Sequence, residues 1–266
     1  MGLFALVAAG DPWVAVRLGV SMTALQASIG VLNDLIDAPR DVGRVPPKAI
    51  PSGYVRPGTA RVIWVLAALL GLILAVPSGP ATVALAAVVL GIGFGYDRFA
   101  KGTAWSWVPF AIGIPLLPVY GWLGATGELA SFFLILVPVA MLAGASLAIA
   151  NALADLERDE AAGVDSIARR LGQNRAWLAH AYLLWAVLLV ADASLIAVAA
   201  HPVSIAGATL GSVIAAFAAS MSRAGDAPRR QRAWEVEAVG YAILSVSWLI
   251  GITVMSGQAP PPVPLV

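Results

Sequence analysis

Long apolar runs separated by short polar connections organise this chain. Runs of roughly 17 to 25 hydrophobic residues are the length that crosses a bilayer core. On that criterion the pattern predicts eight helices, near Trp13 to Asn33, Ala60 to Val76, Ala81 to Tyr96, Trp107 to Gly124, Ala130 to Ala150, Ala176 to Ala199, Val203 to Met221 and Ala238 to Met255. A further apolar stub, Gly2 to Gly10, is too short to span and lacks the basic region of a secretory signal. It reads as the end of a shortened first helix. The proline-rich stretch Pro260 to Pro264 reads as an extended tail.

Composition agrees with this pattern. The 266 residues are 60% hydrophobic and 12% charged, with a mean hydropathy of +0.86, whereas a soluble domain carries about 25% charged residues. The expectation is an all-α, polytopic transmembrane bundle in the cell membrane with the lipid bilayer as a partner. The chain reads as one domain, 1–266, with two helix-bundle halves near 1–125 and 126–266. It contains no cysteine, which excludes disulfides and thiolate metal sites.

Charge placement orients the spans. All of the 16 Lys and Arg residues except Arg17 fall in four connections or their edges: Arg40 to Arg61, Arg98 to Lys101, Arg158 to Arg175 and Arg223 to Arg232. The alternate turns, such as Pro77 to Pro80 and Ala125 to Glu128, carry none. The basic connections are therefore expected on the cytoplasmic side. The net charge of +1 mixes both signs on that face, so nucleic acid is not an expected partner.

Two acidic arrays stand at the cytoplasmic ends of apolar segments. The first holds Asn33, Asp34, Asp37 and Asp41; the second holds Asn151, Asp155 and Asp159. The second set is spaced i, i+4, i+8 and should line one helical stripe. In the first, Pro39 is expected to bend or end the helix before Asp41. Gln26, Gly30 and Thr23 continue its polar face inward. Carboxylates near hydrocarbon are costly unless something, usually a metal ion, neutralises them, and two such clusters suggest two walls of one site opening to the cytoplasm.

Handling a diphosphate is chemistry that needs this arrangement. Carboxylate oxygens suit Mg2+, which completes its shell with phosphate oxygens and water, and a metal-bound diphosphate is a stabilised leaving group. Arg44, Lys48 and Lys101 are the nearby basic candidates to share its charge. A cation- or proton-coupled transporter built on a half-to-half repeat is the competing reading. It is disfavoured because both arrays face one side.

These residues resemble a known family, the UbiA-type intramembrane prenyltransferases. The first array is similar to that family's Asn-Asp-x-x-Asp-x-x-x-Asp motif, and Asp155 to Gly163 resembles its second aspartate motif. Lys48 to Gly53 is similar to the basic Pro-Ser-Gly stretch after the first motif, Tyr96 to Thr103 to the tyrosine-and-lysine loop, and Ser166 to Gly172 to the tail of the second motif. The resemblance runs from about Trp13 to the C-terminus. It implies eight to nine helices around a central cavity, and transfer of a prenyl group from an isoprenyl diphosphate to a lipophilic, often aromatic acceptor. A terpene cyclase of the same type, acting without an acceptor, stays open.

The resemblance also implies roles. Asn33, Asp34, Asp37, Asp41, Asp155 and Asp159 would hold Mg2+. Asn33, Arg44, Lys48, Lys101 and Asn151 would bind the diphosphate, and Asp37, Asp155, Lys101 and Tyr96 would form the catalytic set. Ala152 stands where some members have a further Asp, and Ala100 where the family has the Lys of a Lys-Arg pair, which leaves Lys101 as the single basic residue there. Arg56, Arg61, Arg223, Arg229, Arg230 and Arg232 read as topology determinants, and His180 and His201 as structural. Asp192, deep in an apolar run, could be a relay or an acceptor-binding group, with no partner visible in the sequence.

Overall fold

The computed structural model of the chain describes residues 2–43 and 47–255. Arg44 and the proline-rich tail lie outside the described residues. The described residues contain helices and connections, without strands. The helices are α1 (Gly2–Ala9), α2 (Pro12–Asp37), α3 (Pro57–Ala75), α4 (Pro80–Gly95), α5 (Trp107–Thr126), α6 (Phe133–Ala154), α7 (Leu156–Ala161), α8 (Ile167–Leu171), α9 (Gln173–Ala197), α10 (Pro202–Ser222) and α11 (Ala227–Met255). Among the described residues eight of these, α2 to α6 and α9 to α11, are long and apolar enough to cross a membrane. The protein is a multi-pass membrane protein.

Local sequence explains where several spans begin. Pro12, Pro57, Pro80 and Pro202 sit in the first turns of their helices, where the missing N–H costs nothing. Two boundaries differ usefully from the hydrophobic pattern. α2 runs on to Asp37, so Asp34 and Asp37 are helical residues. α11 begins at Ala227, so Arg229, Arg230 and Arg232 lie on the helix and not in the preceding connection. The apolar window cannot see a polar first turn that tertiary contacts hold in place.

The chain divides into two compact units. One takes Met1–Lys101 with Leu116–Leu129, the other Gly102–Pro115 with Ala130–Val266. In the first, Leu18, Met22 and Leu25 of α2 pack with Ala86, Val89 and Leu90 of α4 and with Tyr120. Small residues permit the close approach: a Cβ on Gly71 would stand 2.5 Å from the Leu25 side chain. Ser21 Oγ donates to Gly71 O at 2.7 Å and shares a 2.6 Å bond with the Tyr120 hydroxyl. Arg17, the basic residue outside the four basic connections, donates to Leu74 O at 2.6 Å and Ser78 Oγ at 2.7 Å. It thereby takes one carbonyl at the C-terminal end of α3 and the hydroxyl just beyond it, which gives the half-buried charge its partners.

In the second unit α10 and α11 pack through glycine. A Cβ on Gly211 would lie 2.6 Å from Leu244 N, and one on Gly240 would lie 2.7 Å from Ala215 N. Between α6, α9 and α11 runs a buried polar junction: Ser146 Oγ and His180 Nδ1 are 3.0 Å apart, and His180 Nε2 and Glu237 Oε2 are 3.3 Å apart. His180 is thus a structural tie between three helices, in a medium where an unsatisfied polar group is costly. Asp192 also has the partner the sequence could not show, since Ser212 Oγ on α10 donates to its Oδ2 at 2.9 Å.

Candidate active site

The first array is assembled at the C-terminal ends of α2 and α4. Pro39 has no N–H, so the helical ladder stops at Asp37, whose carbonyl takes the N–H groups of Arg40 and Asp41 at 2.8 and 3.0 Å. The segment after it folds back as a turn. Ser52 Oγ donates to Lys48 O at 2.6 Å, Val55 N donates to Ala49 O at 2.9 Å, and Gly53 takes a φ of +78° that a side chain would resist. The Pro-Ser-Gly stretch therefore sets the position of Lys48. Beyond α4 the chain widens into a π-helical turn, Tyr96–Ala100, closed by Lys101 N donating to Tyr96 O at 2.8 Å. What the sequence reads as a loop continues the helix, and it delivers Lys101 to the end of α2.

Two lysines neutralise the array. Lys48 Nζ donates to Asp34 Oδ1 at 2.7 Å and lies 3.1 Å from Asp41 Oδ2. Lys101 Nζ donates to Asn33 Oδ1 at 2.7 Å and pairs with Asp37 Oδ2. Burial works against the charge on Lys48, but the hydrogen bonds to Asp34 and Asp41 outweigh it and raise its pKa above 10.5. The structure thus brings Asn33, Asp34, Asp37, Asp41, Lys48 and Lys101 into one constellation, with Tyr96 next to it. Among the described residues no three carboxylates or imidazoles converge as a ready metal cage. Ammonium groups hold the places between them. The donor set is nonetheless all oxygen, which suits a hard ion such as Mg2+.

The sequence reading missed one member of this cluster. Asp97, in the π-helical turn, is only 5% exposed, and neither of its carboxylate oxygens has a hydrogen-bond partner among the described residues. The available signal was its place four residues before Lys101, beside Tyr96.

The second array is built differently from the continuous stripe expected. α6 stops at Ala154, Asp155 leaves helical geometry at φ −93° and ψ 1°, and the short helix α7 follows. The i to i+4 bonds survive the break: Asp155 N donates to Asn151 O at 3.1 Å and Asp159 N to Asp155 O at 2.9 Å. Asn151, Asp155 and Asp159 are all half-buried, while Ala152 to Ala154 and Leu156 between them are buried. Arg158 NH2 lies 2.6 Å from Asp155 Oδ2. Gly163, at φ +68°, ends the segment, and Val164 N returns to Asp159 O at 2.9 Å.

Arg230 holds this break in place. The sequence reading left it among the topology determinants, yet it is 2% exposed and donates to Leu153 O at 2.6 Å and Gly225 O at 2.5 Å. It also pairs with both carboxylate oxygens of Glu157. A single guanidinium therefore takes a carbonyl freed where α6 stops and anchors α7, which fixes the backbone around Asp155. No sequence signal separated Arg230 from its neighbours Arg229 and Arg232.

Comparison with known proteins agrees with this geometry. The profile of the UbiA prenyltransferase family matches residues 1–255, which include both arrays. The chain belongs to the UbiA prenyltransferase family. Over 150 residues it is 27% identical to a digeranylgeranylglyceryl phosphate synthase of Sulfolobus acidocaldarius, covering 56% of this chain and 54% of that protein. The chain thus spans about half the length of the curated relative it matches. Its fold is similar to an apo UbiA homolog from Aeropyrum pernix K1, with a TM-score of 0.73, 18% identity and coverage of 97% and 96% of the two chains. It is also similar to a UbiA homolog from Archaeoglobus fulgidus bound to GPP and Mg2+, with a TM-score of 0.69, 17% identity and coverage of 92% and 94%.

The Arg230 clamp of this UbiA-family chain carries a pH signature. The hydrogen bond from Arg230 lowers the pKa of Glu157 below 4.5. A lowered carboxyl contributes stability that is present above its unfolded value and is lost as pH falls through the folded one. Glu157 is mostly exposed, so screening limits the effect to about 1 kcal/mol. Thermal melts in detergent are expected to show a fall in melting temperature as the pH drops below about 4.5. Part of that fall should be absent in Glu157→Gln. An identical acid profile in the variant would show that the pair contributes nothing.

Proposed function

We propose that this chain is a membrane prenyltransferase that ionises an isoprenyl diphosphate with Mg2+ and transfers the prenyl group to a lipophilic acceptor. The observation that carries the reading is the constellation of Asn33, Asp34, Asp37 and Asp41 with Lys48 and Lys101. Oxygen donors for a hard cation and ammonium donors for phosphate stand within one hydrogen-bond length of each other. The Archaeoglobus homologs that carry GPP or DMAPP together with Mg2+ support the same reading. Asp155 and Asp159 serve as further metal ligands, Asn151 and Arg44 as phosphate contacts, and Tyr96 as part of the catalytic set.

When bound, the metal supplies Lewis-acid neutralisation of the departing diphosphate. The chain's own residues do the rest. Lys48 and Lys101 turn their N–H groups from carboxylates to phosphate oxygens, where negative charge grows as the bond to the prenyl carbon breaks. Arg230 keeps the Asp155 backbone in place while this happens. Both arrays adjoin connections rich in Lys and Arg, which supports an opening on the cytoplasmic face.

Purified protein with Mg2+ and a panel of C10 to C20 prenyl diphosphates is expected to release diphosphate, and chelation with EDTA to stop it. Turnover that survives chelation would overturn the proposal. Mass spectrometry of the products with and without aromatic or glyceryl acceptors then distinguishes transfer from cyclisation. A cyclic terpene formed without acceptor would replace the transferase with the cyclase.

A further inference from the structure

Asp97 lies between Tyr96 and Lys101 but in neither of the two acidic arrays. It sits in the π-helical turn Tyr96–Ala100, and such turns interrupt a helix at an energetic cost, frequently where function needs a side chain re-aimed. Its carboxylate is buried with both oxygens unpartnered among the described residues. The groups that act on it are Lys101 and, from α2, Asp37, Asn33 and Asp34. It is aimed into the first array. A carboxylate held in this way is costly unless a proton or a cation joins it.

Charge counting points to the cation. Lys101 pairs with Asp37 and the neutral Asn33 oxygen and acts on Asp97 without an ion pair to it, so one ammonium faces two carboxylates. A divalent cation in its place compensates both carboxylates and frees Lys101. Mg2+ is commonly held by one or two carboxylates, with water and substrate phosphates completing its shell. We infer that Asp97 is a carboxylate ligand of a divalent-cation site it forms with Asp37 and Asn33, and that Lys101 occupies this site until the cation displaces it toward phosphate. The role given to the displaced Lys101 rests on the diphosphate reading above; the cation site does not.

The test uses Mn2+ alone as the probe, titrated into the purified full-length protein in detergent and followed by electron paramagnetic resonance. Asp97→Asn, which keeps the shape of the side chain, is expected to weaken Mn2+ binding by about tenfold or more. Lys101→Met is expected to strengthen it, because it removes the competing ammonium, while weakening retention of a prenyl diphosphate. A purely structural Lys101 would not produce that opposite pair of shifts. Wild-type affinity in Asp97→Asn, or weakened Mn2+ binding in Lys101→Met, would overturn the inference. So would a wild-type protein that binds no Mn2+ either with or without a prenyl thiodiphosphate. If Mn2+ binding follows the expected pattern but no prenyl diphosphate is retained or cleaved, the cation site stands and the prenyltransferase reading fails.

Discussion

Alanine at Asp37 is expected to abolish diphosphate release, a fall of at least about a thousandfold. Removing one charge-stabilising group from a reacting site typically costs about a hundred- to a thousandfold. Asp37 does more than supply one group. Its carboxylate pairs with Lys101 and its carbonyl closes the turn that leads to Asp41. The alanine variant keeps the carbonyl, so the turn remains and the loss falls on the side chain's chemistry. Asp155→Ala is expected to behave similarly, because Asp155 sits at the break between α6 and α7 that Arg230 secures. Activity assays should be paired with melting curves, and Asp165→Asn serves as a comparison. Asp165 pairs with Arg170 on an exposed connection and should leave turnover unchanged. Full activity in both alanine variants would remove the basis for the proposed chemistry.

The second large effect concerns stability. Gly211→Ile is expected to destabilise the protein by about 3 kcal/mol or more, at or above the usual range for overpacking. A Cβ at Gly211 meets backbone on three sides, with Leu244 N at 2.6 Å, Gly240 O at 2.7 Å and Leu244 Cα at 3.0 Å. Backbone cannot rotate away as a side chain can. The helices must separate, and every contact between α10 and α11 loosens with them. Apolar association within a membrane depends on such close packing, since lipid competes equally for greasy surface. Gly91→Ala is the opposite case. Nothing lies within 4 Å of its added Cβ, and alanine's helix preference favours it by roughly 1 kcal/mol. Denaturant titration in mixed micelles should rank the variants in that order. Equal stability for wild type and Gly211→Ile would show that the glycine contact between the helices is not required.

Much of the molecule was readable along the chain. The eight spans were found because each is a local run whose hydropathy accumulates over about 20 residues. Boundaries failed where polar residues continue a helix, as at Asp34 to Asp37 and Ala227 to Arg232. Both arrays were visible as carboxylates out of place beside hydrocarbon, and the structure gathers the first of them as a group. Lys48 and Lys101, which the sequence offers as phosphate contacts, also pair with its carboxylates in the structure.

The sequence by itself determined that this is a multi-pass helical membrane protein of the UbiA family with two acidic motifs, because hydropathy, spacing and motif order are properties of neighbouring residues. Only the tertiary structure decided which charges meet. Lys101 reaches Asn33 across 68 positions, and Arg230 reaches Leu153 across 77. Asp97 is buried beside Asp37 by the packing of α4 and its π-helical turn against α2. Such pairings depend on how helices are rotated and how closely their glycines let them approach, and no local pattern encodes that.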